Sequence, residues 1–450
     1  MEITYDQLMN EMINDTKNML ILGKAGSGKS HLIKELSKVR DDILLTAPTG
    51  IAAMNIGGRT IDSLFGIRPY CHDYSSMPRL NECDKKSIMK ASILLIDEIS
   101  MVKFNTLDKV NNILKTIRRT TLPFGGLRLI LFGDLMQLES VVDEYESLII
   151  SIEYHDFNGD AGFYNARSMK EGNFLIDNFN FFFLRHNFRQ NNDTVFQTIL
   201  DEIRDGKLSL TIKNKINKQF KKTNDYFKLY LENYHFLTIT NNKASSINRK
   251  IIDKMTGVRY IAEPVICYSK PCNEIISKSP IDKTITIKNG MKVMFVINDK
   301  GIDRRWANGT TGTVEKVRQF NGNIISVKIK VNQNGKTMFY DVMRVKSNII
   351  GIINGLPEIV GYVENFPFIP AFATTIDKVQ GMTLSKAAIV LEKVSRPNQI
   401  YVALSRVGSF KDLIILERKL TSQDVKISRY LTKFIKEIEA KMQDVFINKG

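Results

Sequence analysis

Three groups of residues in this 450-residue chain could together hold and cleave a nucleoside triphosphate. The first is Gly23-Lys-Ala25-Gly26-Ser27-Gly28-Lys29-Ser30, which matches G-x-x-x-x-G-K-[ST]. Its glycines let the backbone wrap so that N–H groups face phosphate oxygens, and a following helix adds its positive dipole. In such a loop Lys29 reaches the β- and γ-phosphates of ATP and the Ser30 hydroxyl ligates Mg²⁺. The second group is Ile93-Leu-Leu-Ile-Asp97-Glu98, an apolar run ending in two carboxylates. Asp97 at a strand end can hold the metal through water, while Glu98, pointing the other way, can orient and deprotonate an attacking water. Hydrolysis is therefore favoured over transfer to a small acceptor. The third is Gln137, after Leu129-Ile-Leu-Phe-Gly133-Asp134, a candidate γ-phosphate sensor or simply part of a turn.

Arg189 and Arg406 lie far along the chain, in what reads as a second α/β unit. Each alone suits a surface salt bridge. As a pair they suit a γ-phosphate held in one domain and sensed from another, so that closure depends on nucleotide state.

Positioning these residues requires a parallel sheet. Asn18–Leu22, Ile43–Ala47, Ser92–Ile96 and Leu127–Phe132 read as buried strands, with a helix from Lys29 to about Val39 and helix-like stretches between most of the others. A second such region runs from about Phe181 to Met255 and resumes near Ala371. Between them, residues 261–365 carry Asn-Gly steps at Asn289, Asn308, Asn321 and Asn334 and β-branched runs, the pattern of hairpins in an inserted β-domain. Residues 67–90 lack clear periodicity and read as a small insertion. Ile427, Tyr430, Leu431, Phe434, Ile435 and Ile438 form one helix face, which packs on the core more readily than it awaits a partner.

Composition sets the bounds. Hydrophobic residues at 43% and charged residues at 25% exclude disorder, collagen and coiled coil. Lys+Arg outnumber Asp+Glu by 64 to 48, a net charge of +16, which permits a polyanionic partner, nucleic acid before membrane. Cys71, Cys83, Cys267 and Cys272 form no zinc-binding pattern and fit free thiols in a reducing compartment. No signal peptide is visible, and no apolar run approaches the roughly 18 residues that span a bilayer. A soluble chain is expected, cytoplasmic in a bacterial or viral setting and nuclear or mitochondrial in a eukaryotic one.

Eight motifs then resemble a known group: GKAGSGKS at Gly23, TAPTGIAAMNIGG at Thr46, LLIDEISM at Leu94, PFGGLRLILFGDLMQL at Pro123, LRHNFRQ at Leu184, NGTTGTV at Asn308, TTIDKVQGMTL at Thr374 and QIYVALSR at Gln399. In this order the chain is similar to superfamily 1 helicases of the RecD-like branch, and most closely to the petite-integration-frequency DNA helicases, from about Thr4 to Glu417. The resemblance implies two RecA-like P-loop domains, with a small wedge insertion in the first and an SH3-like β-insertion in the second. The first domain would comprise 1–66 and 91–185, the wedge 67–90, the second domain 186–260 and 366–420, the β-insertion 261–365 and a C-terminal helix 421–450.

The family further implies that Gln7 reads adenine. Lys29, Ser30, Asp97, Glu98, Gln137, Arg189 and Arg406 match its ATPase site, and Gly381, next to Gln380, lies where nucleotide couples to DNA. Its single-stranded DNA track would pass Pro48, Thr49 and Ser63 in the first domain and Thr240, Asn241, Thr375 and Lys378 in the second. Backbone amides and hydroxyls suit phosphate contacts that position a strand without reading its sequence. The implied activity is 5′-to-3′ translocation on single-stranded DNA with duplex or forked DNA unwound, driven by ATP and Mg²⁺, in replication, recombination, repair or telomere maintenance. A monomer suffices for it. The alternative is a DNA-stimulated ATPase that remodels or packages DNA without unwinding.

Two departures stand out: Asp62 and Asp377 occupy positions where the family usually has His. A carboxylate beside a DNA phosphate weakens grip, yet Asp is also an excellent helix N-cap. A third, Leu138-Glu-Ser in place of Leu-Pro-Pro, touches only a turn. Lys115–Arg119 and Lys213–Lys222 read as solvated helix faces before DNA contacts. Arg304-Arg305-Trp306 holds the only tryptophan, equally suited to base stacking and to a small barrel's core.

Overall fold

The structure, a computed structural model, describes residues 2–67, 78, 80–140, 142, 144–155, 157–190, 193–277, 279–299, 305–333 and 335–446. Two compact units divide the chain: Met1–Lys215 with Val394–Phe410 and Thr421–Gly450, and Ile216–Lys393 with Lys411–Leu420.

The first unit is built on an eight-stranded sheet in the order Glu2–Thr4, Met442–Phe446, Phe179–Leu184, Asn18–Gly23, Arg128–Gly133, Ile93–Ile96, Ile43–Ala47, Arg59–Thr60. Every neighbouring pair is parallel. Its central strands read as continuous apolar runs because both faces are covered. Met19 and Ile21 point into a core with Leu8, Met12, Leu32, Ile33 and Leu36. Leu20 and Leu22 point into the opposite core with Leu107, Val110 and Leu114 of the helix Phe104–Arg118. The amphipathic helix Arg429–Glu439 buries Leu431, Phe434 and Ile438 in that second core, with Phe434 stacked on Tyr164 at 4.4 Å. Its expected packing role is met.

The second unit holds a four-stranded parallel sheet in the order Ala373–Thr375, His235–Thr238, Ala387–Val390, Leu413–Leu416. The helix Asn241–Lys254 lays Ala244, Ile247, Ile251 and Ile252 on a core shared with Phe236, Ala388 and Val390. That core continues into the β-insertion, which runs from Tyr260 to Pro370. A five-stranded antiparallel sheet there takes the order Lys336–Val342, Asn323–Gln333, Thr311–Phe320, Lys292–Phe295, Phe368–Pro370. A four-stranded one takes the order Val265–Tyr268, Leu356–Asn365, Val345–Ile353, Glu274–Ser277. At the hairpin Asn321-Gly322 both residues take positive φ, +48° and +78°. Such a turn matches the strand twist and favours Asn-Gly.

Several expectations are adjusted. Trp306 is 3% exposed and stacks on Phe295 with ring centroids 4.5 Å apart, so it is a core residue and no base platform. Arg304, Asn334, Cys71 and most of 67–81 lie outside the described residues, while Glu82–Lys90 is a helix. Residues 186–215 and 394–410, expected in the second domain, fall in the first compact unit. A strand at Met442–Phe446, between Glu2–Thr4 and Phe179–Leu184, was not anticipated.

Candidate active site and nucleic-acid track

The loop after Asn18–Gly23 is shaped by its glycines. A Cβ on Gly23 would lie 2.4 Å from Ser27 Oγ, and Gly26 and Gly28 take φ of +84° and +89°. Gly28 caps the helix Lys29–Val39, whose N-terminal amides open toward the loop. Lys29 is 8% exposed, and its Nζ donates to the carbonyls of Gly23 at 2.8 Å and Lys24 at 3.0 Å. Burial holds its pKa below the ordinary lysine value, against the opposing pull of Asp134, Glu98 and Asp97. Ser30 is exposed at the start of the helix, and Ala25 and Ser27 are buried in the loop.

The neighbouring strand ends bring carboxylates to the same sheet edge. Asp97 Oδ1 accepts from the Glu98 N–H at 2.9 Å. Burial first, and Glu98 second, push the Asp97 carboxyl up to about 7. Glu98 sits at φ +52°, a left-handed conformation costly for a residue that carries a Cβ. Its carboxyl is raised by burial, opposed by Lys29 and Arg406, and its buried Oε2 has no hydrogen-bond partner among the described residues. A buried carboxylate oxygen left without a donor is costly unless a reacting water or ligand uses it.

Asp134, fully buried, ties this edge together. It accepts from Tyr401 Oη at 2.9 Å, Gln137 Nε2 at 3.4 Å and Met136 N at 3.1 Å, and Arg204 Nη2 lies 3.5 Å from it. Gln137 is also held through its carbonyl, which accepts from Asn398 Nδ2 at 3.1 Å. Arg189 Nη1 donates to Ser405 O at 2.8 Å. Arg406, 1% exposed, donates from Nε to Val402 O at 2.8 Å and from Nη2 to Ser405 Oγ at 2.7 Å. Burial, then the like charge of Arg189, lowers the Arg406 guanidinium to about 10.

Both arginines therefore belong to the compact unit that carries the phosphate loop, not to a separate one. The segment Val394–Phe410 is held there by Asn398–Gln137, Arg189–Ser405 and Gln190 Nε2 to Val407 O at 2.9 Å. Sequence reasoning named Lys29, Asp97, Glu98, Gln137, Arg189 and Arg406, and the structure gathers all of them. It passed over Asp134, Tyr401, Asn398 and Arg204. Asp134 and Tyr401 lie inside recognisable motifs and were within its reach; Arg204, on an amphipathic helix, carried no signal.

Gln7 closes a capping box on the first helix: Thr4 N donates to Gln7 Oε1 at 2.8 Å and Gln7 N to Thr4 Oγ1 at 3.2 Å. Gly381, at φ +79°, lies in the second unit, beside Gln380, whose buried carboxamide has no hydrogen-bond partner among the described residues.

The residues of the expected DNA track occupy helix N-termini beyond the C-terminal ends of parallel strands. Pro48 and Thr49 follow Ile43–Ala47, and Thr49 Oγ1 caps the next helix by accepting from Ala52 N at 3.3 Å. Ser63 lies in the helix Ile61–Phe65 and accepts from Arg59 Nη2 through its carbonyl at 2.7 Å. In the second unit Thr240 caps the helix that begins at Asn241, accepting from Lys243 N at 3.3 Å. Asn241, Thr375 and Lys378 line one cavity of ≈ 590 Å³. Burial and then Lys283 lower the Lys378 ammonium. The capping explanation for Asp62 and Asp377 is corrected: Thr60 and Thr375 hold the N-cap positions, and the aspartates sit in the first turn, where they complement the dipole.

Among the described residues no cluster of His, Cys, Asp and Glu could hold a metal unaided, and no helix is long and apolar enough to cross a membrane. The profile of PIF1-like helicases matches residues 2–154. The chain is 29% identical to the ATP-dependent DNA helicase Pif1 of Bdellovibrio bacteriovorus, covering 90% of this chain and 85% of that one. It is 28% identical to the ATP-dependent DNA helicase PIF1 of Danio rerio over 89% of this chain, spanning 58% of that longer protein. Among solved structures, Pif1 helicases at forked dsDNA align over 97% of this chain and 96% of theirs, with 27% identity and a TM-score of 0.81. A Bacteroides Pif1 in complex with ADP-AlF3 and ssDNA aligns over 98% of both chains, with 28% identity and a TM-score of 0.78. These neighbours share the pair of RecA-like domains. By profile, relatives and fold alike, the chain matches a superfamily 1 helicase of the PIF1-like family.

Proposed function

We propose that the chain is an ATP-dependent DNA helicase that moves 5′-to-3′ on a single strand and unwinds duplex or forked DNA, acting as a monomer. The single observation that carries the reading is Glu98: a buried, strained carboxylate with an unpartnered oxygen, at the sheet edge shared by Lys29, Asp134, Arg189 and Arg406. That arrangement suits a base for water attacking a γ-phosphate. Lys29 would leave its carbonyl partners for the β/γ-oxygens, and the loop amides from Gly26 to Ser30 would cradle them. Arg189 and Arg406 would compensate charge as the terminal bond breaks, and Gln137 would report its loss. Gln7 would read the base and Gly381 would couple nucleotide to DNA.

A buried carboxylate and a hydroxyl beside a phosphate loop fit a small, hard cation that keeps several waters. Ser30 and Asp97 would hold Mg²⁺, which when bound neutralises charge on the β/γ-oxygens. Pro48, Thr49, Ser63, Thr240, Asn241, Thr375 and Lys378 would carry the strand by its phosphates.

The test is ATP-dependent unwinding of matched duplexes bearing a 5′ or a 3′ single-stranded tail, with Lys29→Ala as control. Unwinding from the 5′ tail alone, lost in Lys29→Ala, is expected. DNA-stimulated hydrolysis with neither duplex unwound would replace the reading with a remodelling ATPase.

A further inference from the structure

The five-stranded sheet of the β-insertion has one face in the core and one in solvent. Along Asn323–Gln333, Val327, Ile329 and Val331 are buried, while Lys328, Lys330 and Asn332 alternate outward. Lys292 pairs with Thr313, Thr313 with Lys330, and Lys330 with Phe339. Directly paired residues share a face, so these four form one row across four strands, about 14 Å from end to end. At its far end Phe339 is 51% exposed, with Lys328 Nζ 5.3 Å from its ring centre.

At the near end the row runs into a cavity of ≈ 450 Å³ lined by Lys292, Lys330 and Lys386, with Thr313, Thr383 and Ser385. None of the three lysines makes a salt bridge among the described residues. Lys386 Nζ reaches the carbonyl of Glu232 at 3.4 Å and lies 5.3 Å from the Tyr234 ring centre, and Lys292 lies 5.3 Å from the Tyr230 ring centre. One carboxylate, Glu315, stands on the wall. Gathering three cations in a partly desolvated hollow is unfavourable unless an anion enters. His235, on the same wall, reports that bias: burial and then Lys292 lower its pKa to about 4, and its Nε2 lies 2.7 Å from Thr374 Oγ1.

The cavity opens at the N-terminal ends of His235–Thr238 and Ala387–Val390. Thr375 ends its strand and Thr240, Asn241 and Lys378 lie beyond the C-terminal ends of theirs, so the two locations are at opposite edges of one parallel sheet. We propose that this face of the β-insertion is a second nucleic-acid site, in which Lys292, Lys330 and Lys386 take a backbone phosphate of a single strand and Phe339 stacks one of its bases. The inference rests on the reading that the chain binds single-stranded DNA. A duplex could not use the exposed ring, because its bases offer no free π-face; a free phosphate would not use it at all.

The experiment measures the affinity of the full chain for a labelled oligo-dT across a salt series. Lys292→Ala/Lys330→Ala is expected to weaken binding several-fold and to reduce the salt slope by about 0.7 for each phosphate left without its lysine. Phe339→Ala should weaken binding about tenfold without changing the slope. Lys270→Ala, an exposed lysine in the bend after Val265–Tyr268 that pairs with Glu358 at 2.6 Å, should change neither. Equal effects from Lys270→Ala and the double variant would reduce the site to a diffuse field and overturn the proposal. So would lysine effects that inorganic phosphate abolishes while Phe339→Ala binds as wild type, since the cavity would then take a free anion. Wild-type protein that fails to bind oligo-dT would instead overturn the helicase reading itself, which keeps the two failures apart. Phe339 and Lys270 are exposed and Lys292 and Lys330 half-buried, and a thermal melt verifies that each variant is folded.

Discussion

The hydroxyl of Tyr401 donates to Asp134 Oδ2 at 2.9 Å and accepts from the Ala25 N–H of the phosphate loop at 3.4 Å. One buried phenol therefore joins the loop to the end of the strand Arg128–Gly133. Burial, reinforced by Asp134, raises its pKa, so it remains a donor at every relevant pH. Tyr401→Phe removes the bridge and leaves Asp134 with one donor fewer. Loss of a buried hydrogen bond to a charged group costs about 1.5–3 kcal/mol. The variant should melt lower and hydrolyse ATP more slowly at saturating DNA, with ATP affinity changed less than turnover. A melting curve and ATPase rate equal to wild type would show that the bridge is idle.

Asp97 yields a pH prediction with a definite sign. Its carboxyl is held at about 7 in the fold against an ordinary 3.8, by burial first and Glu98 second. A group that binds its proton more tightly folded than unfolded stabilises the fold only while protonated. Its contribution is complete below the unfolded value and disappears as pH rises through about 7. Asp97→Asn, which needs no proton, should therefore melt higher than wild type at pH 8, by about 2–4 °C for each kcal/mol recovered. The gap should close toward pH 4. The same substitution should abolish hydrolysis, and melting scans without nucleotide at both pH values check the stability half. A variant that melts lower than wild type at pH 8 would mean the carboxylate is welcome in its charged form.

How much of this was legible follows from which interactions are local. Glycines, an apolar strand and a helix start sit within a dozen residues at Gly23–Ser30, so both the phosphate loop and its helix Lys29–Val39 could be read directly. Short apolar runs also located the strands around it to within a residue. What sequence could not supply was long-range pairing. The strand Met442–Phe446 is MQDVF, too polar to announce itself, and earns its place only by pairing with Glu2–Thr4 and Phe179–Leu184. Arg189 and Arg406 read as part of a second domain because they follow the first in the chain. Bonds from 398, 405 and 407 back to 137, 189 and 190 decide otherwise. Nor could Trp306 be settled, since an Arg-Arg-Trp triplet reads alike on a surface or over a core.

Asp377 lies in the first turn after Thr375, beside Lys378, whose ammonium is already held low by burial and Lys283. A carboxylate there favours the turn's dipole by about 0.3–1 kcal/mol and repels a phosphate brought to Thr375 and Lys378. Asp377→His should therefore trade a small loss of stability for tighter single-strand binding at fixed salt, with the gain shrinking as salt is raised. Anisotropy titrations at two ionic strengths measure it. Unchanged affinity at low salt would remove any role for the carboxylate in setting grip.

Trp306 provides the contrast between a core residue and a contact residue. Its ring lies nearly parallel to Phe295, at an interplanar angle of 18°, with Tyr340 at 5.8 Å and the Arg305 guanidinium 4.4 Å from the ring centre. The salt bridge from Arg305 Nε to Asp299 at 2.9 Å fixes that cover. Trp306→Ala should cost about 3–5 kcal/mol, the range for emptying a large aromatic site, and should loosen the five-stranded sheet. Trp306→Phe should keep most of the packing and leave oligo-dT affinity as in wild type. Hydrogen exchange along Lys292–Phe295 and Thr311–Phe320 reads the first outcome and a binding titration the second. If Trp306→Phe instead lost DNA affinity while keeping its melting temperature, the ring would have to leave the core to meet a base, against the 3% exposure it shows.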